Sequence, residues 1–183
     1  MARRAIGSRE LGIDLASGCP PELFKWFLAC LLFGKPIQQR VAKRAYLEFV
    51  TARLLTPRAI LRAGWDRLVE VLDRGHYVRF DFSTATKLLD VSAALVAQYG
   101  SLARLLEAST SRADAARRLQ AFKGVGPTTT RIFLRDVAAL CPRPGRVPRA
   151  RPVRRQRRLS GRCVAESGPG VAWQPPCTRH TTT

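Results

Sequence analysis

Residues 111–140, SRADAARRLQAFKGVGPTTTRIFLRDVAAL, decide how this chain is read. They spell a helix, a four-residue hairpin and a second helix. Ser111 is a good N-cap, and Ala113, Ala116, Leu119 and Phe122 recur at helical spacing. Gly124 and Gly126 break that pattern around one apolar residue, Val125. Pro127 restarts it, because proline is tolerated in the first turn of a helix. Ile132, Phe133, Val137 and Leu140 supply a second apolar face. Two physical readings fit the turn. In one it is a tight connection that plugs Val125 into the core. In the other it presents backbone N–H groups at a helix N-terminus, with no side chain at Gly124 or Gly126 in the way. That is the arrangement that holds a phosphate, and Lys123 puts a positive charge beside it.

Charge favours the second reading. Of 183 residues, 32 are Lys or Arg and 13 are Asp or Glu, for a formal charge of +19. A compact chain so charged repels itself, and a polyanionic partner is expected. The length suits one domain of ordinary size with a real core. No apolar run approaches the ~20 residues that cross a membrane. The first residues, MARRAIGSRELG, are basic but lead into no signal-peptide core. The expectation is a cytoplasmic monomer, nucleoid-associated in a bacterium. Cys19, Cys30, Cys141, Cys163 and Cys177 are odd in number, irregularly spaced and without a CxxC. Neither a disulfide framework nor a zinc site is indicated.

The remaining elements read outward from there. Residues 1–20 are expected to be a loose basic arm. Pro20 and Pro21 precede ELFKWFLACLLF (22–33), apolar nearly all round and therefore central to the core. Gly34, Lys35 and Pro36 end it. A second helix is expected over 37–52, with Val41, Ala45, Leu47 and Phe49 on its apolar side. Thr56 and Pro57 open a short helix that closes at Gly64, and 65–73 forms the next. Residues 76–80 are a short connection with extended backbone as one option. A longer helix spans 83–98, with Leu88, Leu89, Val91, Leu95 and Val96 as core, and 102–108 is another short one capped by Ser101. Trp26 and Trp65 are expected in the core, and His76 on the surface. The fold class is all-α, with seven to nine short helices.

At Cys141 the character changes. Residues 141–183 hold seven of the twelve prolines, ten arginines, no lysine and one acid, Glu166. Such a segment buries too little surface to fold, so a disordered Arg/Pro-rich tail is expected. Three readings stand: a basic arm that scans nucleic acid, a tail with no role, or the translation of GC-rich DNA in a shifted frame.

The residues FKGVGPTTTRIFLRDV (122–137) resemble the helix-hairpin-helix of the endonuclease III-like DNA glycosylase superfamily. The shared pattern is an apolar residue, Pro or Lys, Gly, an aliphatic, Gly, then a helix. FKWFLACLLFGKPIQQRVAKRAYLEF (24–49) is similar to that family's early helix pair, whose joining loop enters the DNA. The resemblance covers about residues 20–140. It implies a compact, multi-helix endonuclease III-like fold in two lobes, incomplete here, with double-stranded DNA in the cleft and the target base flipped out for N-glycosidic cleavage. It gives Lys123, Gly124, Val125 and Gly126 the phosphate contact and implies a monovalent cation on the hairpin carbonyls. Thr128 adds a hydroxyl at the helix start, and Lys35 stands in the early loop, where phosphate contact and plain exposure are both open.

The chemistry carries over less well. Family members that cleave the strand have a lysine two residues past the second hairpin glycine, as Schiff-base nucleophile. Thr128 stands there. The family's aspartate at the pocket mouth, after a further turn, has no counterpart, since no aspartate follows Asp136. Asp136 itself comes too early and reads as a solvated or salt-bridged helix acid. The four-cysteine iron–sulfur loop of many members is also missing. No catalytic residue, metal ligand or iron–sulfur cluster is therefore assigned. The sequence reads as a DNA-binding, glycosylase-like chain of base-excision-repair type, truncated or frame-shifted after about residue 140. Its rivals are a non-catalytic DNA-binding module and a basic RNA-associated protein bound through its tail.

Overall fold

The computed structural model describes residues 6–137. The expected tail, and the last residues of the second hairpin helix with Leu140, lie outside them. Among the described residues there are seven α-helices, one 3-10 turn and no strand, as the all-α reading requires. The helices are α1 (Pro20–Phe33), α2 (Gln39–Thr51), α3 (Pro57–Arg74), α4 (Asp81–Gln98), α5 (Leu102–Glu107), α6 (Arg112–Gln120) and α7 (Pro127–Asp136). None among these residues is long and apolar enough to cross a membrane.

The central place of α1 follows from its sequence. A helix apolar on every side must be covered on every side. It packs against α2, α5 and α7, and Trp26, Phe27, Leu28 and Leu32 have no exposed surface. The Phe27 and Phe133 rings meet edge to face at 5.3 Å, which ties α1 to α7. A large apolar side chain so buried contributes roughly 1.5–3 kcal/mol. Around this centre α3 pairs with α4 and α6 with α7.

The expected arm over 1–20 is corrected from Ser8 onward. Ser8–Leu11 forms the 3-10 turn, and Ile13 and Leu15 are buried with the core. The Ser8 N–H donates to Asp136 Oδ2 at 3.3 Å. These two buried apolar residues dock the stretch.

The two helices expected around Gly64 are present within α3, joined across a kink. Gly64, at φ 74° and ψ 177°, makes the kink in a region that is essentially glycine-only. Residues 76–80 form a turn, with His76 at φ 58° and exposed. Two apolar residues assigned to the core are not there: Trp65 is 40% exposed and Leu47 47%. Trp65 stacks instead on exposed Phe82 at 5.3 Å and donates its ring N–H to Thr86 Oγ1. In α6 and the turn after it the expected face holds at Leu119 and Phe122, with Ala116 half-buried against the core, but Ala113 is exposed and Ala115 is buried instead.

Candidate nucleic-acid interface

The hairpin is built by local signals. Ser111 Oγ accepts from the Asp114 N–H at 3.1 Å and starts α6. The Asp114 carboxylate accepts from the Thr110 N–H and pairs with Arg117 and Arg118. Those bonds hold its pKa below the usual aspartate value, the Thr110 N–H contributing most. At the far end, the Val125 N–H donates to the Phe122 carbonyl at 3.0 Å and closes the turn. Phe122 and Val125 are both buried, so the hairpin is indeed plugged into the core by its apolar residues.

The glycines do different work. Gly124 has φ 86°, in the left-handed region that L side chains avoid. A Cβ there would also stand 2.8 Å from Cγ and Cδ of Lys87. Gly126 has φ −87° and is the N-cap of α7, with no side chain to cap it. Nothing lies within 4 Å of where its Cβ would be. The N–H groups of Thr128 and Thr129, in the first turn, find no acceptor in the preceding hairpin. Gly124 and Thr128 are exposed. The turn therefore leaves the N-terminus of α7 exposed at Thr128, where the dipole and that residue's free N–H favour an anion.

The structure brings the early loop to this turn. A Cβ on Gly34 would collide with Thr129 Oγ1, so the loop between α1 and α2 rests directly on the start of α7. Lys35 follows, half-buried, with its ammonium 5.3 Å from the Phe80 ring centre. Arg79 lies over the same ring at 5.4 Å. Lys123 is 89% exposed, its ammonium 3.9 Å from Asp90 Oδ2 on α4, a surface pair of little strength. Thus Lys35, Lys123, Gly124, Val125, Gly126 and Thr128 belong to one neighbourhood, with Val125 beneath it rather than on it.

Two buried groups behind this neighbourhood escaped the sequence reading. Tyr77 donates its hydroxyl to the Leu32 carbonyl at 2.7 Å. Lys87, only 8% exposed, donates to the Leu31 carbonyl at 3.2 Å. Both bonds satisfy carbonyls in the last turn of α1, which has no helical partner for them. The readable signal was heptad spacing. Thr84, Lys87 and Val91 lie at i, i+3 and i+7 on the buried face of α4. A lysine in that register is either an error of pattern or a functional group.

Carboxylates and thiols near the hairpin are engaged elsewhere. Asp136 is paired with Arg135 and bonded to the Ser8 N–H. Asp81 accepts from the Phe82 N–H at 2.7 Å. Beside it, Asp73 has its pKa raised, by desolvation first and then by the hydrogen bond and charge of Asp81. Burial, then the Asp136 charge, push the Cys30 thiol well up, so it stays a neutral core group. A groove of about 480 Å³ between α6 and α7 is lined by Arg112, Ala116, Pro127, Thr130 and Arg131 among others, without an acid. Its one hydroxyl, on Thr130, donates to the Gly126 carbonyl at 3.1 Å. No three His, Cys, Asp or Glu residues among those described are grouped to hold a metal ion.

No family model, no curated protein and no solved structure matches this chain.

Proposed function

We propose that this chain binds double-stranded DNA by its sugar–phosphate backbone, through the Gly124-Val125-Gly126 turn and the loop carrying Lys35. The observation that carries the reading is the uncapped N-terminus of α7. Its N-cap Gly126 is sterically open, its first-turn donors are unspent, and Lys123 stands beside it. A formal charge of +19 supports a polyanionic partner. The likeness of residues 122–137 to the glycosylase hairpin supports DNA as that partner.

The grip is proposed to operate without efficient glycosidic chemistry. Thr128 has no nitrogen to condense with a sugar aldehyde. Asp136 is committed to Arg135 and to the chain's first turn. The reading is of a glycosylase-like DNA-binding chain, descended from a base-excision enzyme.

Fluorescence anisotropy with a labelled duplex tests it. Gly126→Ala adds one methyl that meets no protein atom, so it blocks only an incoming phosphate. Binding is expected to weaken about tenfold or more, the loss of one charge-assisted hydrogen bond. Lys123→Ala is expected to lower the slope of log affinity against log salt by about one. Undiminished affinity in Gly126→Ala rejects the hairpin as the binding element.

A further inference from the structure

We infer that the Lys87 ammonium is a second anion-binding point behind the hairpin, completed by a nucleic-acid phosphate seated over the Gly124 turn, and that binding this phosphate takes up a proton. The source of the phosphate rests on the DNA-binding reading above. The site itself rests on geometry. Lys87 is almost fully buried, and a buried cation is ordinarily paired with an acid. Its one bond among the described residues goes to the neutral Leu31 carbonyl, so two of its three N–H donors are unspent.

The charges around Lys87 do not relieve it. From the α1–α2 loop comes Lys35, another cation, which acts on it unfavourably. From the hairpin comes Lys123, and the acid one turn along α4, Asp90, is turned to Lys123. The start of α7 brings Thr129, which is uncharged. The cluster is thus short of negative charge at a place where the Gly124 turn is open to solvent. The Lys87 methylenes form the floor of that turn, 2.8 Å from the missing Cβ of Gly124. The ammonium lies two bonds beyond Cδ of that stem, 3.2 Å from the Leu31 carbonyl oxygen.

Protonation follows from the same geometry. Burial, and then the Lys35 charge, bring the Lys87 pKa down to about 8. The free protein is therefore about half charged at this site at pH 8. An opposite charge within ~4–6 Å raises such a pKa by about 1–3 units. Even a one-unit rise means an uptake of about 0.4 proton per duplex at pH 8.

Calorimetric titration with a duplex, in two buffers of different ionisation enthalpy at pH 8, measures that uptake. The wild type is expected to take up about 0.4 proton. Lys87→Arg keeps a permanent charge and should bind without uptake. Lys87→Met keeps an unbranched stem under Gly124 and should lose both the uptake and about tenfold in affinity at pH 7. Uptake that persists in Lys87→Arg, or tight wild-type binding with no uptake, overturns the inference. If the duplex does not bind at all, the DNA reading fails, and inorganic phosphate becomes the probe. A rise in Tm in phosphate over chloride at equal ionic strength, present in the wild type and absent in Lys87→Met, would support the anion point alone. No such difference would overturn it.

Discussion

In Gly124→Ala two independent costs fall on one methyl group. The backbone at φ 86° is the first. An L side chain in the left-handed region costs roughly 1–2 kcal/mol. The second is steric. The new Cβ would stand 2.8 Å from Cγ and Cδ of Lys87. That stem has little room to retreat, since it is buried and anchored at its far end on the Leu31 carbonyl. Forcing a methyl into such a place costs about 1–3 kcal/mol. The sum, about 2–5 kcal/mol, is a large part of the ~5–15 kcal/mol that holds a domain together. Urea denaturation followed by circular dichroism measures it, as a lower midpoint with the slope unchanged. Gly126→Ala is the internal control, with φ −87° and open space around it, and should cost under about 1 kcal/mol. Measured in a Lys87→Ala background, Gly124→Ala should cost only the backbone part, about 1–2 kcal/mol. A Gly124→Ala protein within about 0.5 kcal/mol of wild type, a shift ordinary for a surface substitution, would refute the reasoning.

Two further outcomes are expected. Incubation with duplexes carrying uracil, oxidised pyrimidines, alkylated purines or mismatched adenine should release little base and leave no borohydride-trapped adduct. A missing acid–base group costs ~10²–10⁴-fold, so release at the rate of a working repair enzyme would overturn the proposal of a grip without efficient chemistry. Stability of the free protein should rise between about pH 8 and 10. There the unfolded chain keeps a proton that buried Lys87 has lost. It should fall above pH 10, because burial pushes Tyr46 up to about 12 and Tyr77 higher still, so the unfolded chain loses protons first. Urea midpoints from pH 7 to 11 check this, and a rise that survives in Lys87→Met would contradict the assignment.

The sequence by itself determined the local starts and stops. Thr56, Ser101 and Ser111 accept from N–H groups three residues on, at 3.2, 3.3 and 3.1 Å. Such a cap needs only a side-chain oxygen at the right offset, so it is legible from a few residues. The same holds for the prolines that open α1, α3 and α7, and for α1 as the centre, because a helix without a polar face has nowhere else to go. Tertiary structure decided which side of each remaining helix is covered. Trp65 and Leu47 fit an apolar stripe by spacing, yet Leu47 stays exposed, Trp65 stacks on Phe82 at the surface, and α6 buries Ala115 rather than Ala113. It also decided the site. The Gly34–Thr129 approach and the bond from Lys87 to Leu31 join residues far apart in the chain. Periodicity reports a residue's neighbours within three or four positions. It is blind to whether a lysine on the inner face of α4 will lie beneath a glycine turn contributed by another helix pair. That juxtaposition comes from helix packing, and it sets a buried lysine behind the turn on which the proposed phosphate grip rests.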